Sequence, residues 1–275
     1  MMIGVNTYTM SFAGDVESGL AKAAEMGFEG IEFQPDGLGL SGELGSVEAD
    51  ARKARAIFAK HGIAPCTIAC DADFVQPDKE QFDHWVRWGE YCAALSAQLG
   101  LKVVKYFAGE PKPGLTDEQV VDFMIRGSKE LALIGEKYDV AFAEENHGDF
   151  TNRPEVQLQI LEAVASPKVG VCIDSFNYRW FGHSLNEVHR IFREMAAHAL
   201  HVHAKDGDGS AGTKGDYKAT ALGEGELDIV LLLRELAGHG YIGDLVVEYE
   251  GPEGEEGVRR SLAHLKKLRK EIFGA

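Results

Sequence analysis

Short apolar runs rich in Val, Ile and Ala alternate along the whole chain with longer stretches in which apolar residues recur every three to four positions. The short runs predict strands over Met2–Asn6, Gly30–Phe33, Ile63–Ala69, Lys102–Phe107, Val140–Glu145, Val169–Asp174, Ala199–Ala204 and Leu245–Tyr249. The longer stretches predict helices near Asp15–Met26, Val47–His61, Lys79–Leu99, Asp117–Lys137, Pro154–Ala165, Leu185–Ala197, Asp228–His239 and Glu255–Ile272.

Boundary residues support these limits. Thr116 with Gln119 three residues later forms a capping-box pattern, since each side chain can satisfy a backbone N–H that the first helical turn leaves open. Pro154 sits where a first turn tolerates a missing N–H. Gly27, Gly62, Gly100 and Gly240 follow helical stretches, where a left-handed cap is expected. Strands separated by helices imply a parallel sheet, and eight of them suffice to close a barrel. No glycine-rich fingerprint follows the first strand, which disfavours an open dinucleotide-binding sheet. The sequence therefore predicts a single α/β domain over residues 1–275, a (β/α)8 TIM barrel. Two long connections, Phe33–Val47 and Asp206–Leu227, are expected to shape a site or act as lids.

The strands also end in an unusual way. Strand five runs into AFAEENHGDF, strand six into VCIDSFN, strand seven into LHVHAKDGD and strand eight into VVEYEGPEG. The C-terminal strand ends of such a barrel line its active site. Carboxylates and imidazoles buried there cost several kcal/mol each unless compensated, and a divalent cation is the simplest compensation. Glu145, Asp174, His203 and Glu248, one from each of four successive strands, are the expected ligands. Three carboxylates and one imidazole suit Mn2+ best, with Mg2+ or Co2+ as alternatives.

Five segments together resemble the xylose-isomerase-like barrel superfamily, in its sugar isomerase/epimerase branch. They are ENHGD at Glu145–Asp149, GVCIDSFN at Gly170–Asn177, HVHAKD at His201–Asp206, LGEGELD at Leu222–Asp228 and HGYIGDLVVEYEG at His239–Gly251. The resemblance implies the same four metal ligands. By likeness to the ketose 3-epimerases it also implies that Glu145 and Glu248 move a proton at a carbon beside a carbonyl, through a metal-stabilised cis-enediolate. Three positions depart from those epimerases: Thr151 replaces a glutamate, Asn177 a histidine and Gly209 an arginine. Inosose-dehydratase-like lyases and subunits that cleave oxidised (3-keto) glycosides share the pattern and the first proton abstraction, so a lyase is the alternative to an isomerase or epimerase. Homo-oligomers are common in this group.

Further residues offer contacts to a small polyhydroxylated substrate. His147 reads as a general acid or a structural loop residue. Lys105, Lys205, Asn177 and His183 read as substrate or rim contacts. Glu32 reads as an acceptor for a sugar hydroxyl or as the partner of Lys105. His201 reads as a layer beneath His203. Glu144 should face the helices, because strand side chains alternate.

Charge narrows the class. With 28 Lys and Arg against 44 Asp and Glu, the net charge is −16, which repels nucleic acid and anionic membranes. The related apurinic-site endonucleases, which need a basic groove and more histidine ligands, fit poorly. No apolar run nears the ~18 residues that cross a bilayer, and the first residues carry no basic leader pattern, so a cytoplasmic enzyme is expected. Cys66, Cys70, Cys92 and Cys172 form no paired motif and read as reduced core thiols.

Overall fold

The computed structural model describes residues 1–209 and 214–274. The predicted strands form as β1 (Ile3–Asn6), β2 (Gly30–Phe33), β3 (Ala64–Cys70), β4 (Val103–Tyr106), β5 (Ala141–Glu145), β6 (Val169–Asp174) and β7 (Ala199–Ala204). The long connection then supplies β8 (Asp206–Asp208) and β9 (Lys218–Thr220), and the eighth predicted strand is β10 (Leu245–Val247). Eight strands close in the order β1-β10-β7-β6-β5-β4-β3-β2, a single (β/α)8 TIM barrel. β8 and β9 form a separate antiparallel pair. That connection includes 210–213, so the expected lid falls partly outside the described residues.

Neighbouring barrel strands run parallel, with Val5 opposite Ile31 and Val247, Val104 opposite Phe142, and Val246 opposite His203. β1, β2 and β6 are buried along their whole length. This is why they read as continuous apolar runs: parallel strands covered on both faces have no water-facing side.

The helices are α1 (Val16–Met26), α2 (Val47–His61), α3 (Lys79–Leu99), α4 (Asp117–Tyr138), α5 (Pro154–Val164), α6 (Asn177–Phe181), α7 (Leu185–Met195), α8 (Ile229–Gly238) and α9 (Glu255–Phe273). Asp15, Asp78, Thr116, Ser184 and Asp228 each accept a backbone N–H of the first turn. The expected capping box at Thr116 and Gln119 is present, and Ser184 with Glu187 forms another. Gly27 and Gly100 cap α1 and α3 in the left-handed region. Two left-handed caps carry no glycine: Asp139 and Ala165 adopt φ of 54° and 48° after α4 and α5. The predicted helix through Ala165 therefore ends one residue earlier.

Two compact units divide the chain. One comprises Met1–Glu32, His61–Cys66 and Ile173–Ala275, and the other Phe33–Lys60 and Thr67–Cys172. The first is built on fully buried Ile3, Val5, Ile31, Val202, Leu245 and Val247, the second on Ile68, Phe74, Val104, Tyr106, Phe142 and Val171. In the second unit the Tyr106 ring meets Phe142 edge-on at 6.0 Å and Phe74 at 6.4 Å. All four cysteines are free thiols and buried. Among the described residues no helix is long and apolar enough to cross a membrane.

Candidate active site

Within the first unit, three of the expected ligands meet. Asp174 is the last residue of β6, and its Oδ1 accepts the backbone N–H groups of Phe176 and Asn177, both at 2.8 Å. Those bonds open α6, a turn the sequence did not announce, and fix the carboxylate's orientation. His203 lies in β7 opposite Val246 of β10, and Glu248 follows β10 immediately. The predicted strand ran to Tyr249. It stops at Val247, yet the Glu248 N–H still donates to the Ala204 carbonyl at 3.1 Å. Asp174, His203 and Glu248 each present one donor atom, and these atoms lie within 4.8 Å of one another.

Neighbours hold each group in place. Glu248 accepts from Asn6 Nδ2 at 2.7 Å through Oε2, while its Oε1 lies 3.0 Å from Lys205 Nζ. His203 Nδ1 stands 3.0 Å from Glu248 Oε2, and its Nε2 faces both oxygens of Glu32 at 3.1 Å. Burial alone would raise the Glu248 carboxyl, but the Lys205 ammonium and the His203 imidazole hold it well below the usual carboxylate range. Glu32 behaves alike: burial opposes ionisation, and His203 with His201 overcomes it.

Lys205 is buried and pairs with Glu250 at 2.7 Å, Glu248 at 3.0 Å and Asp174 at 4.0 Å. Its burial favours the neutral amine, yet these carboxylates raise it well above the ordinary lysine value. Asn177 is buried at the start of α6, with its side-chain oxygen 3.5 Å from Lys205 Nζ. His183 lies beside the rings of Phe181 and Tyr178, at 5.4 and 6.4 Å.

The second unit carries the remaining expected residues. Glu145 ends β5 opposite Cys172, which lies two residues before Asp174 on β6. It is 3% exposed and pairs with Lys105 Nζ at 3.1 Å. Lys105, itself buried, also pairs with Asp71 at 2.7 Å and stands 3.7 Å over the Phe107 ring. Thr151 accepts the His147 N–H at 2.9 Å, and its single hydroxyl proton has the carbonyls of His147 at 2.8 Å and Glu145 at 3.0 Å within reach, locking the loop after β5. His147 stays half exposed, its ring tilted against Phe107 at 4.4 Å with Nδ1 3.4 Å from Glu110. Burial lowers its imidazole, but Glu110 and the charge of Glu145 outweigh this and raise it. Glu144 alternates away as expected and accepts from Gln157 of α5 at 2.8 Å. Burial pushes that carboxyl up to about 8.

Glu32 is 2% exposed and engaged by the imidazoles of His201 and His203. Two residues escaped the sequence reading. Asn6 ends β1 and Asp71 follows β3, each a polar residue closing an apolar run, which is the signal that identified the ligands. Asp206 gathers the backbone N–H groups of Gly207, Gly223, Gly225 and Leu227 at 2.8–3.4 Å, and so shapes the LGEGELD segment.

Comparison with known proteins agrees with this architecture. A family model described as the xylose isomerase-like TIM barrel matches residues 20–268. No curated protein matches significantly. Among solved structures, an IolI protein with a bound zinc atom is 20% identical, with both chains covered over their full length and a TM-score of 0.78. A xylose isomerase-like TIM barrel protein from Mycobacterium smegmatis in complex with magnesium is 16% identical, covering 98% of this chain and 97% of that one at a TM-score of 0.80. The 3-keto-D-glucoside 4-epimerase YcjR of E. coli is 16% identical, covering 97% and 99% at a TM-score of 0.72. At such identities the likeness is one of fold.

Proposed function

We propose, on the premise that this chain belongs to the family of xylose isomerase-like TIM barrels, that it is a divalent-metal-dependent isomerase or epimerase of sugars or keto-sugars. The observation that carries the reading is the convergence of Asp174, His203 and Glu248 within the first unit. Two carboxylates and an imidazole at that spacing are a donor set for a small divalent cation. Glu145, at the corresponding end of the adjacent strand β5, is the fourth ligand we assign. Mn2+ is the ion we favour, with Mg2+ or Co2+ as alternatives. Zinc and magnesium are the ions found in two of the similar structures. When bound, the ion supplies Lewis acidity that draws charge from a substrate carbonyl.

The chain's own residues do the rest. Glu248 is kept deprotonated by Lys205 and aimed by Asn6. So oriented, it is assigned the removal of a proton from the carbon beside that carbonyl, and Glu145 the return of a proton to the opposite face. Lys105, Lys205, Asn177 and His183 are proposed to orient substrate hydroxyls. His147 supports a second reading: half exposed, with its imidazole raised above its ordinary value by Glu110, it is placed to protonate a leaving group, as a lyase requires. A cytoplasmic homo-oligomer remains part of the proposal.

Incubation with 3-keto-glycosides and ketoses in D2O tests it. Deuterium appearing at a carbon beside the carbonyl, without loss of water or aglycone, is the expected result, and Glu248→Gln should abolish the exchange while leaving the fold intact. Release of water or aglycone would move the assignment to the lyase. Full exchange by the Glu248→Gln variant would refute its role.

A further inference from the structure

We propose that Glu32 is a positioning residue that holds the proton of His203 on Nε2 and thereby presents Nδ1 to Asp174 and Glu248. The inference rests on reading those three residues as metal ligands. Its geometry lies wholly within the first unit. Glu32 belongs to β2, paired through β1 at Asn6, the residue that holds Glu248. From there its side chain meets His203 of β7, with both oxygens 3.1 Å from Nε2. Oε2 also lies 2.8 Å from His201 Nε2. His201 shares the strand face of His203, their rings 5.4 Å apart and nearly perpendicular.

A carboxylate with two such partners cannot swing away from one without losing the other. A neutral imidazole carries one N–H and one lone pair. A cation held among the converging donors needs the lone pair of Nδ1, which leaves the proton on Nε2, the nitrogen that Glu32 faces with both oxygens. Nδ1 is the atom 3.0 Å from Glu248 Oε2, on the side where the other donors converge. A carboxylate behind a ligand imidazole fixes the ring and strengthens it as a donor, and losing such a partner typically weakens metal binding by about 10–100-fold.

The test uses the full chain as wild type, Glu32→Gln and Glu32→Ala. Nitrogen-15 imidazole spectra of the metal-free wild type, with His203 assigned through His203→Asn, should show a slowly exchanging proton on Nε2. In Glu32→Ala that proton should exchange rapidly with solvent. Calorimetric titration with Mn2+ should show affinity falling about 10–100-fold in Glu32→Ala. Glu32→Gln, which keeps an acceptor oxygen, should fall less. A wild-type His203 bare at Nε2, or a folded Glu32→Ala variant that binds Mn2+ like wild type, overturns the proposal. A wild type that binds no divalent ion sinks the metal reading instead. The nitrogen spectrum of the wild type then decides the Glu32 inference alone, as it does where Glu32→Ala fails to fold.

Discussion

Replacing Lys205 by Met should separate the protein's stability with metal from its stability without. The Lys205 side chain is 6% exposed, with Nζ 2.7 Å from Glu250, 3.0 Å from Glu248 and 4.0 Å from Asp174. At an effective dielectric of about 20, unit charges 3 Å apart attract by roughly 5 kcal/mol. Returning the ammonium to water in the unfolded chain offsets much of this. Removing one partner of a buried ion pair nets a loss of about 3–5 kcal/mol, because the remaining charge is stranded. Met keeps most of the stem's volume, so packing changes little. For 275 residues, an unfolding entropy near 2.1 cal/mol/K per residue turns that loss into a Tm lower by roughly 5–9 °C. A divalent ion among the same carboxylates restores the missing positive charge. Thermal unfolding followed by circular dichroism, in chelator and in excess Mn2+, should therefore show a larger metal-induced rise in Tm for Lys205→Met than for wild type. A chelated variant melting within about 1 °C of wild type, or equal metal-induced gains in both, would refute the argument.

Two further predictions probe the scaffold in the second unit. A Cβ at Gly127 of α4 would lie 2.2 Å from Cγ of the fully buried Phe74, so Gly127→Val should cost at least ~1–3 kcal/mol in urea unfolding through overpacking; an unchanged midpoint would contradict this. Asp50 is buried, and its Oδ2 takes the Ser41 hydroxyl at 2.6 Å, the Ser41 N–H at 3.0 Å and the Tyr91 hydroxyl at 2.8 Å. Burial would raise this carboxyl, but those bonds win and lower it. Its contribution to stability is therefore present above the unfolded value near 4 and lost as pH falls through the folded one. Asp50→Asn should cost about 1.5–3 kcal/mol at pH 7, by the worth of bonds to a charged group, and the gap from wild type should close in acid. A gap independent of pH would show that the charge plays no part.

Much of this was legible from local signals. Apolar runs that stop at a carboxylate or imidazole located Asp174, His203 and Glu248, because a strand end is defined by its own neighbours in sequence. Glu144 and Glu145 could be sent to opposite faces by alternation alone, and Gln157 on α5 receives Glu144 accordingly. Partners across the ring were not legible. Glu32 meets His203 from 171 positions away, and nothing near Glu32 distinguishes an acceptor for a sugar from an anchor for an imidazole. The left-handed cap at Asp139 was missed because any non-glycine residue there hides the signal; Lys102 and Lys168 both pair with its side chain. The turn of α6 escaped because Asp174 itself starts it, by accepting backbone N–H groups that periodicity cannot see.

The proposed function requires Glu145, Asp174, His203 and Glu248 to bind a single cation. Titrating chelator-treated protein with Mn2+ in a calorimeter measures that directly. One equivalent per chain, with tight binding lost in Asp174→Asn, is the predicted result. Heat no different from dilution, or binding that Asp174→Asn leaves untouched, would contradict it.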